Sequence, residues 1–532
     1  MQEVETKKKD IVNFFLKKGL LLSQDLLEQL ENEKFFSEIC NLIENKTHQE
    51  VTVLNKKIKD ILNQTTTSNL NWSEIDKINV ISEKKGNDYN KLFEPILGSE
   101  THPKPIEKKT DTENKVKVIF SYDSKPKKRD AQDFVGYFNN RLQTTRNILK
   151  QRQELQNPIS INRLLSKKDR EQVAVIGMVK DKRYTKNNNC MITIEDETGC
   201  IKTIINKTKP DLFDVAKDVV LDEVMGIVGV NGENIIFVNN IISPEIPIAK
   251  EIKKANEEAY ALFLSDIHVG SKNFLEEDFN KFLKWINQDL GNEEQKKTAS
   301  KVKYIFILGD SVDGCGIYPE QDKELNIKDI KEQYQECASL LSQIPKNIKL
   351  IICPGNHDAM RVAEPQLQIY KDFAEPIYNL PNAIMVSNPS LVNIHSSDIF
   401  SGFDVLIYHG YSFDFYAAEV ESIRNNGSYD RVDLIMKFLL QKRHLAPTHT
   451  STLYVPDAQL DPLVINKVPD FFVSGHIHKA AAANYRNITL ISGSCWQSKT
   501  AFQEKVGHNP EPSRIPIVNL QTRQIKMLKF GN

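Results

Sequence analysis

The sequence predicts a multidomain α+β protein in which a five-stranded β-barrel of the OB type precedes a larger α/β domain. The chain has 532 residues, more than one hydrophobic core usually serves, so about two to four domains are expected. Between residues 172 and 242, short alternating apolar runs are separated by turn signals, as in small barrels. From about residue 261, apolar runs alternate with helical patterns, which is typical of a sheet flanked by helices.

Composition excludes several classes of protein. The chain carries 70 Lys+Arg against 71 Asp+Glu, so any nucleic-acid surface must be local. Seven cysteines are scattered without a CxxC pair, which argues against a zinc ribbon or a disulfide scaffold and favours a reducing compartment. No apolar run reaches the roughly 18 residues of a membrane helix. These features predict a soluble cytoplasmic protein without membrane association.

The sequence of the N-terminal quarter predicts a helical module followed by a linker. Residues 1–62 have apolar positions at helical spacing, with Gly19 as a stop and Ser23 as an N-cap, which predicts a small helical module. A partner-docking module and a plain helical bundle fit this pattern equally well. Residues 63–130 are rich in polar residues and proline and predict a flexible linker. Within it, the alternation over 116–120 is compatible with one strand.

Residues 131–250 predict a helix followed by the barrel. Apolar and aromatic residues recur at helical spacing between 131 and 155. Five strand-like runs follow, with one helical segment, Leu212–Lys217, between them. OB barrels often bind single strands, and basic residues cluster between 180 and 186. Only Tyr184 is available there for stacking, so a purely structural barrel is an equal alternative.

Five apolar runs in the last segment, residues 251–532, each end in polar residues that can bind metals. In chain order, these residues are Asp266 and His268; Asp310 and Asp313; Asn356, His357 and Asp358; His409; and His476 and His478. Because ligands collect at the strand ends of helix-flanked sheets, the five loops should meet in one crevice. Histidine, carboxylate and amide donors suit divalent ions such as Mn²⁺, Fe²⁺ or Zn²⁺. Each fragment alone is weak, and the prediction rests on their order.

This order of motifs (DxH, GDxxD, GNHD, a lone His and GHxH) resembles the calcineurin-type metallophosphoesterase superfamily. Within this superfamily, four segments resemble the small subunit of archaeal family D DNA polymerase: Ile307–Gln321, Cys353–Arg361, Tyr408–Asp414 and Asp461–Lys479. The resemblance covers about residues 150–532 and is weaker over 1–110. One departure is Glu320, where the family is expected to carry glycine.

The resemblance implies a four-layer α/β/β/α metallophosphoesterase sandwich over 251–532, after the barrel and the helical module. It also implies a 3′–5′ exonuclease that proofreads for a separate catalytic subunit and releases 5′ mononucleotides. The implied ligands are Asp266, His268 and His478 for one divalent ion, Asn356, His409 and His476 for a second, and Asp310 for both. Mn²⁺ is the favoured metal, with Mg²⁺, Fe²⁺ and Zn²⁺ as alternatives. His357 is implied as a catalytic residue beside the scissile phosphate, oriented by Asp313.

The resemblance also implies binding partners and a cellular location. The large catalytic subunit of the polymerase would form a heterodimer with this chain, and the primer 3′ end would be the DNA substrate. A sliding clamp is a further candidate partner. The protein is expected in the cytoplasm, associated with a nucleoid, in a cell without a nucleus.

Three alternatives remain open at this point. The first alternative is a non-catalytic scaffold, because eukaryotic small subunits are similar in architecture but have lost metal ligands. All seven candidate ligands are present in this chain, which favours an enzyme. A protein phosphatase is disfavoured because Gly314 and Asp358 stand where that branch has Arg and Glu. A repair nuclease of the same superfamily would begin its phosphoesterase near the N-terminus, rather than after about 250 residues.

Overall fold

The computed structural model describes residues 21–22, 53–54, 115–505 and 507–531. The chain divides into two units, residues 1–109 and 110–532. In the first unit, β1 (Leu21–Leu22) and β2 (Val53–Leu54) pair in parallel. Apart from these four residues, which form strands, the helical module predicted over 1–62 lies outside the described residues, as does most of the predicted linker. Among the helices in the described ranges, none has the length and apolar character that crossing a membrane requires.

A closed five-stranded barrel forms between residues 172 and 242, as predicted. The elements up to its last strand are β3 (Val116–Ser121), α1 (Ala131–Leu149), α2 (Ile161–Leu165), β4 (Gln172–Tyr184), β5 (Cys190–Asp196), β6 (Gly199–Ile205), α3 (Pro210–Lys217), β7 (Val224–Gly232) and β8 (Ile235–Ile242). The barrel strands close in the order β4-β5-β6-β8-β7. Its interior buries Val175, Ile192 and Ile227. The helix predicted within 131–155 and the helical segment inside the barrel are both present, as α1 and α3.

The remainder of the chain alternates strands and helices. Its strands are β9 (Tyr260–Leu264), β10 (Val302–Leu308), β11 (Lys349–Cys353), β12 (Ala383–Met385), β13 (Ser390–Ile394), β14 (Phe403–Ile407), β15 (Phe471–Ser474), β16 (Ala481–Tyr485), β17 (Ile488–Ser492), β18 (Arg514–Asn519) and β19 (Ile525–Lys529). Its helices are α4 (Glu276–Ile286), α5 (Glu293–Ser300), α6 (Ile330–Ser342), α7 (Lys371–Tyr378), α8 (Phe413–Glu419), α9 (Glu421–Arg424), α10 (Val432–Lys442) and α11 (Ala501–Lys505). The coarse prediction of a mixed α+β chain with a barrel is confirmed.

Two six-stranded sheets face each other in this part of the chain. Their strand orders are β12-β11-β10-β9-β18-β19 and β16-β17-β15-β14-β13-β3. Strand residues alternate between two cores, because successive side chains point to opposite faces. In β9, Phe263 faces the core between the sheets, where its ring stacks on Phe306 with centroids 5.0 Å apart. Leu262 faces outward to the helices α4 and α6, and helices α8 and α10 cover the outer face of the second sheet.

The strand β3 corrects one predicted boundary. Residues 116–121 fall inside the predicted linker, 63–130, but they form the edge strand of the second sheet, where Val118 pairs with Val392 of β13. Val116 packs against the core between the sheets. The linker assignment is therefore wrong over these six residues, whereas the single strand that the alternation over 116–120 indicates is present.

Helix α1 joins the barrel to the two-sheet region through a buried charge. Leu142 and Leu149 of α1 pack on the barrel. The Arg141 side chain is only 1% exposed and extends instead to Asp461 in the two-sheet region. Its Nε donates to Asp461 Oδ2 at 2.7 Å and its Nη1 to the carbonyl oxygen of Pro447 at 2.6 Å. Burial alone would raise the pKa of Asp461, but His444 and Arg141 hold it below its ordinary value.

Replacing this arginine should destabilise the chain strongly. Arg141→Met leaves the buried Asp461 carboxylate without its cationic partner, which should lower the free energy of unfolding by about 3–5 kcal/mol. Arg146 in the same helix is the control, because its 2.8 Å ion pair with Glu197 is partly exposed. Arg146→Ala should cost under about 1 kcal/mol. Urea unfolding followed by tryptophan fluorescence measures both, and equal losses would contradict this account.

Candidate metal centre

The five predicted loops meet in one pocket. Seven of the nine predicted site residues line a cavity of about 280 Å³ at the carboxyl ends of the strands. The other two, Asp266 and His409, are fully buried beside it. His478 Nε2 lies 3.4 Å from Asp266 Oδ1, and His409 Nε2 lies 3.3 Å from Asp310 Oδ2. The structure therefore brings all nine residues together.

One group of donors consists of Asp266, His268 and His478. Their ligand atoms lie within 4.8 Å of one another, and the Nε2 atoms of the two histidines are 3.2 Å apart. Two uncharged nitrogens at this distance repel each other unless a proton or a cation lies between them. Burial would raise the pKa of Asp266, but His478 lowers it. This set of donors suits a divalent cation.

A second group consists of Asp310, His409 and His476, again within 4.8 Å. Asn356 joins it, with Oδ1 at 3.0 Å from His409 Nε2. Burial would lower the pKa of His409, but Asp310 and Asp266 raise it to about 10. Asp310 also forms a donor group with His268 of the first set. It therefore lies between the two sets of donors.

Each of the four candidate histidine ligands has a partner on its other ring nitrogen. The partners are Asp313 Oδ1 for His268 Nδ1 at 3.1 Å, the Leu308 carbonyl oxygen for His409 Nδ1 at 2.7 Å, Asp414 Oδ2 for His476 Nε2 at 2.9 Å, and the Gln503 side-chain amide for His478 Nδ1 at 2.9 Å. Such partners fix the ring and its tautomer, and histidines that bind metals almost always have them. The chemistry of the donor set therefore fits divalent metal ions.

The carboxylate of Asp313 is not the part of this residue that contacts His357. It contacts His268 instead, and it also accepts hydrogen bonds from Gln497 Nε2 at 2.9 Å and Gln321 Nε2 at 3.0 Å. The main-chain carbonyl oxygen of Asp313 lies 2.7 Å from His357 Nδ1. Asp313 thus orients His357 through its backbone and His268 through its side chain. A motif identifies the residue but not which of its atoms makes the contact.

His357 lies at the junction of the two donor sets. Its main-chain N–H donates to Asp310 Oδ1 at 2.8 Å, and its ring stands edge-on to His268, with centroids 4.7 Å apart. One of its ring nitrogens also lies within 4.8 Å of donor atoms of His268 and Asp310. The geometry alone is therefore compatible both with a catalytic group and with a ligand.

The backbone at these loops is unusual. Five of the nine site residues adopt left-handed conformations with φ between 49° and 69°: Asp266, His268, Asp310, His476 and His478. Such conformations are costly for residues with a side chain, and they cluster at functional sites. A Cβ at Gly355 would collide with Asp310 Oδ1, so glycine is required there. Glu320, where glycine is expected, also has a positive φ of 66°.

Sequence reasoning missed four residues that support the site. Gln321, Gln497 and Gln503 hold Asp313 and His478 through their amides. Asp414 contacts His476; Asp414 and Gln321 each occur only as the last residue of a segment that carries the resemblance, Tyr408–Asp414 and Ile307–Gln321. Gln497 and Gln503 carry no local signal, because their partners lie 184 and 25 positions away in the chain.

A family model and several relatives agree that this chain is similar to DNA polymerase subunits. A family model for the B subunits of DNA polymerases alpha and epsilon matches residues 261–482, which include all nine predicted site residues. The chain is 41% identical over 399 residues to the DNA polymerase II small subunit of Methanothermobacter thermautotrophicus, covering 75% of this chain and 79% of that protein. It is 38% identical over 404 residues to the DNA polymerase II small subunit of Pyrococcus furiosus, covering 75% of this chain and 64% of that protein.

These similarities define the class as small subunits of DNA polymerases. Within that class, the chain belongs to the family of DNA polymerase II small subunits, the small subunits of archaeal family D DNA polymerase. Among solved structures, an archaeal phosphodiesterase aligns at 12% identity over 51% of this chain and 98% of that chain, with a TM-score of 0.24. A score this low adds nothing to the assignment.

A buried glutamate supports the loop that carries His409. The Tyr408 hydroxyl donates to Glu364 Oε2 at 3.0 Å, and the His409 main-chain N–H donates to Asn388 Oδ1 at 2.8 Å. Asn388 Nδ2 in turn donates to Glu364 Oε1 at 3.4 Å. Glu364 is fully buried, and this burial raises its pKa to about 7. The folded state therefore favours the protonated, neutral form of this side chain.

This raised pKa predicts a pH-dependent stability. Because the folded chain binds this proton more tightly than the unfolded chain, the stabilisation is full below about pH 4.5 and is lost as the pH rises through about 7. Glu364→Gln stays uncharged, so its free energy of unfolding relative to wild type should rise by up to about 3 kcal/mol across that range. Urea unfolding of the metal-free chain at several pH values measures the difference. The exposed Glu336→Gln is the control, and a flat difference for Glu364→Gln would refute the prediction.

Proposed function

We propose that this chain is the 3′–5′ exonuclease subunit of an archaeal family D DNA polymerase. It would hydrolyse the terminal phosphodiester bond at a primer 3′ end with two divalent ions and release 5′ mononucleotides. The observation that carries the proposal is the convergence of seven candidate ligands, with every histidine oriented from behind by a second group. Burying Asp266 and Asp310 is costly unless the charges are paired or bind metal. A subunit that served only as a scaffold would gain nothing from burying these two charges.

The residues present fit two ions. Asp266, His268 and His478 would hold one, Asn356, His409 and His476 the other, and Asp310 would contact both. Mn²⁺ suits this mixture of imidazole, carboxylate and amide donors, with Mg²⁺, Fe²⁺ or Zn²⁺ as alternatives. When bound, such ions withdraw charge from the phosphate oxygens and make water a nucleophile at neutral pH.

His357 is assigned the leaving-group side of the reaction. Its Nδ1 is fixed by the Asp313 carbonyl oxygen at 2.7 Å, so Nε2 is the atom that can hold an exchangeable proton. His357 lines the pocket and is partly exposed in it. A proton on Nε2 can pass to the 3′ oxygen of the penultimate nucleotide as that bond breaks. A positioned acid of this kind accelerates a reaction by about 10²–10⁴-fold.

The pocket favours a single unpaired nucleotide as substrate. Its volume of about 280 Å³ lies just below the usual range for ligand sites, about 300–1,000 Å³. Tyr318 and Tyr411 line it beside the candidate ligands, and aromatic rings accept any base by stacking. A mismatched terminal base leaves its stack at lower cost than a paired one, which supports proofreading as the purpose of the reaction.

The partner follows from the family. Relatives are named small subunits of DNA polymerase II, which supports a heterodimer of this chain with a large catalytic subunit. The complex would act on the primer 3′ end in the cytoplasm, on the DNA of the nucleoid. Co-expression with the large subunit should give one complex on size-exclusion chromatography, and two separately migrating proteins would contradict this.

Metal binding and catalysis can be separated by two substitutions. Asp310→Ala removes the shared anionic ligand, so it should lower both metal content and activity. His357→Ala should retain the metal and slow cleavage by about 10²–10⁴-fold. Metal content by mass spectrometry and single-turnover cleavage of a 3′-labelled mismatched primer with Mn²⁺ measure these effects in the complex. If His357→Ala loses metal as readily as Asp310→Ala, then His357 is a ligand.

Asp313 should behave as a support of the metal site. Asp313→Asn weakens the contact to His268 Nδ1, so metal affinity should fall by about 10–100-fold. The control is Asp433→Asn on the surface of α10, whose carboxylate pairs with Arg431 at 2.8 Å and should leave metal binding unchanged. If the wild-type complex binds no metal and cleaves no primer, then the chain is a scaffold subunit.

A further inference from the structure

We infer that Asp414 is a positioning residue of the candidate metal centre, whose carboxylate holds the His476 ring so that Nδ1 faces the second ion position. The inference rests on the two ion positions of the proposed function, and it assigns a role to a residue outside the implied ligand set. It concerns the affinity of one of the two ion positions rather than the chemistry of cleavage.

The contact is built by two neighbouring strands. Asp414 is the second residue of α8, the helix that follows the loop after β14 in which His409 lies. His476 follows β15, which pairs in parallel with β14. Asp414 Oδ2 lies 2.9 Å from His476 Nε2. The segment after β14 therefore provides one ligand directly and a partner for the ligand of the next strand.

The hydrogen bond from His476 to Asp414 determines which ring nitrogen of His476 faces the candidate metal centre. Since Nε2 of His476 donates to a carboxylate, Nδ1 is the nitrogen left to face Asp310 and His409. The rings of His409 and Tyr411 stand against His476, with centroids 5.2 and 5.7 Å away, and limit its rotation. A carboxylate partner also makes an imidazole a stronger metal ligand.

Asp414 lies outside the first layer of donors. Among the described residues, the group around Asp310 contains His409 and His476 but not Asp414. Its side chain is 48% exposed, against 14% for His476, so it lies on the solvent side of the ring. The arrangement matches Asp313 behind His268, where a carboxylate also occupies the nitrogen that faces away from the centre.

The first test measures metal affinity on the full chain without nucleic acid. Calorimetric titration with Mn²⁺ should show two ions per chain in the wild type. Asp414→Ala should weaken one of them by about 10–100-fold while two still bind at saturation. Asp414→Asn should fall between the two, because an amide oxygen can accept the same hydrogen bond from Nε2–H. Asp433→Ala, which removes a carboxylate of α10 with no contact to the site, should match the wild type.

A second test distinguishes a positioning residue from a ligand. The visible absorption of bound Co²⁺ changes in intensity when the number of ligands changes. Saturated Asp414→Ala should therefore give the wild-type spectrum. A changed spectrum would make Asp414 a ligand, and wild-type affinity in Asp414→Ala would leave it no role; either result overturns the inference.

The outcomes separate this inference from the proposed function. A chain that binds two ions with the expected loss in Asp414→Ala, but cleaves no primer in complex with the large subunit, overturns the exonuclease proposal alone. Normal cleavage together with unchanged affinity in Asp414→Ala overturns the role of Asp414 alone. A wild-type chain that binds no metal overturns both.

Discussion

Burial of aspartates and histidines at about 3 Å from one another is the constraint on which the rest of this structure depends. Asp266, Asp310 and His409 are at most 2% exposed, and such groups are tolerated only when each is paired, hydrogen-bonded or bound to metal. No single element can present so many donors in one place. Two sheets are needed, because the loops after β9, β10 and β11 come from one and the loops after β14 and β15 from the other.

The local backbone follows from the same constraint. A side chain that must turn back into the crevice directly after a strand requires a sharp change of direction, and five site residues take left-handed conformations for this purpose. Glycine is needed where another chain segment passes close by, as at Gly309 beside His409. The surrounding cores hold these conformations in place, since both faces of each sheet are packed. The fold thus offsets strain that is concentrated at the site.

The sequence predicts the barrel and the site residues because both signals are local. An apolar run followed at once by Asp266 and His268 can be recognised without knowing the fold, and five such runs in order define the crevice. The contacts behind the site are not local. Gln497 holds Asp313 from 184 positions away, and nothing in its neighbourhood marks it. The same limit applies to Asp313: the resemblance implies that it orients His357, but a motif does not specify that the main-chain carbonyl oxygen makes the contact.

The partners behind the histidines also suggest how the two ion positions differ. At each position, one histidine is backed by a carboxylate and the other by a neutral group: Asp313 and Gln503 at one, Asp414 and the Leu308 carbonyl at the other. The proposed direct ligands are not balanced in this way, because the first position would have Asp266 besides the shared Asp310, whereas the second would have the neutral Asn356. With one direct anion fewer, the second position has less attraction for a cation. Its affinity therefore depends more on Asp414, which strengthens His476 as a ligand from outside the centre.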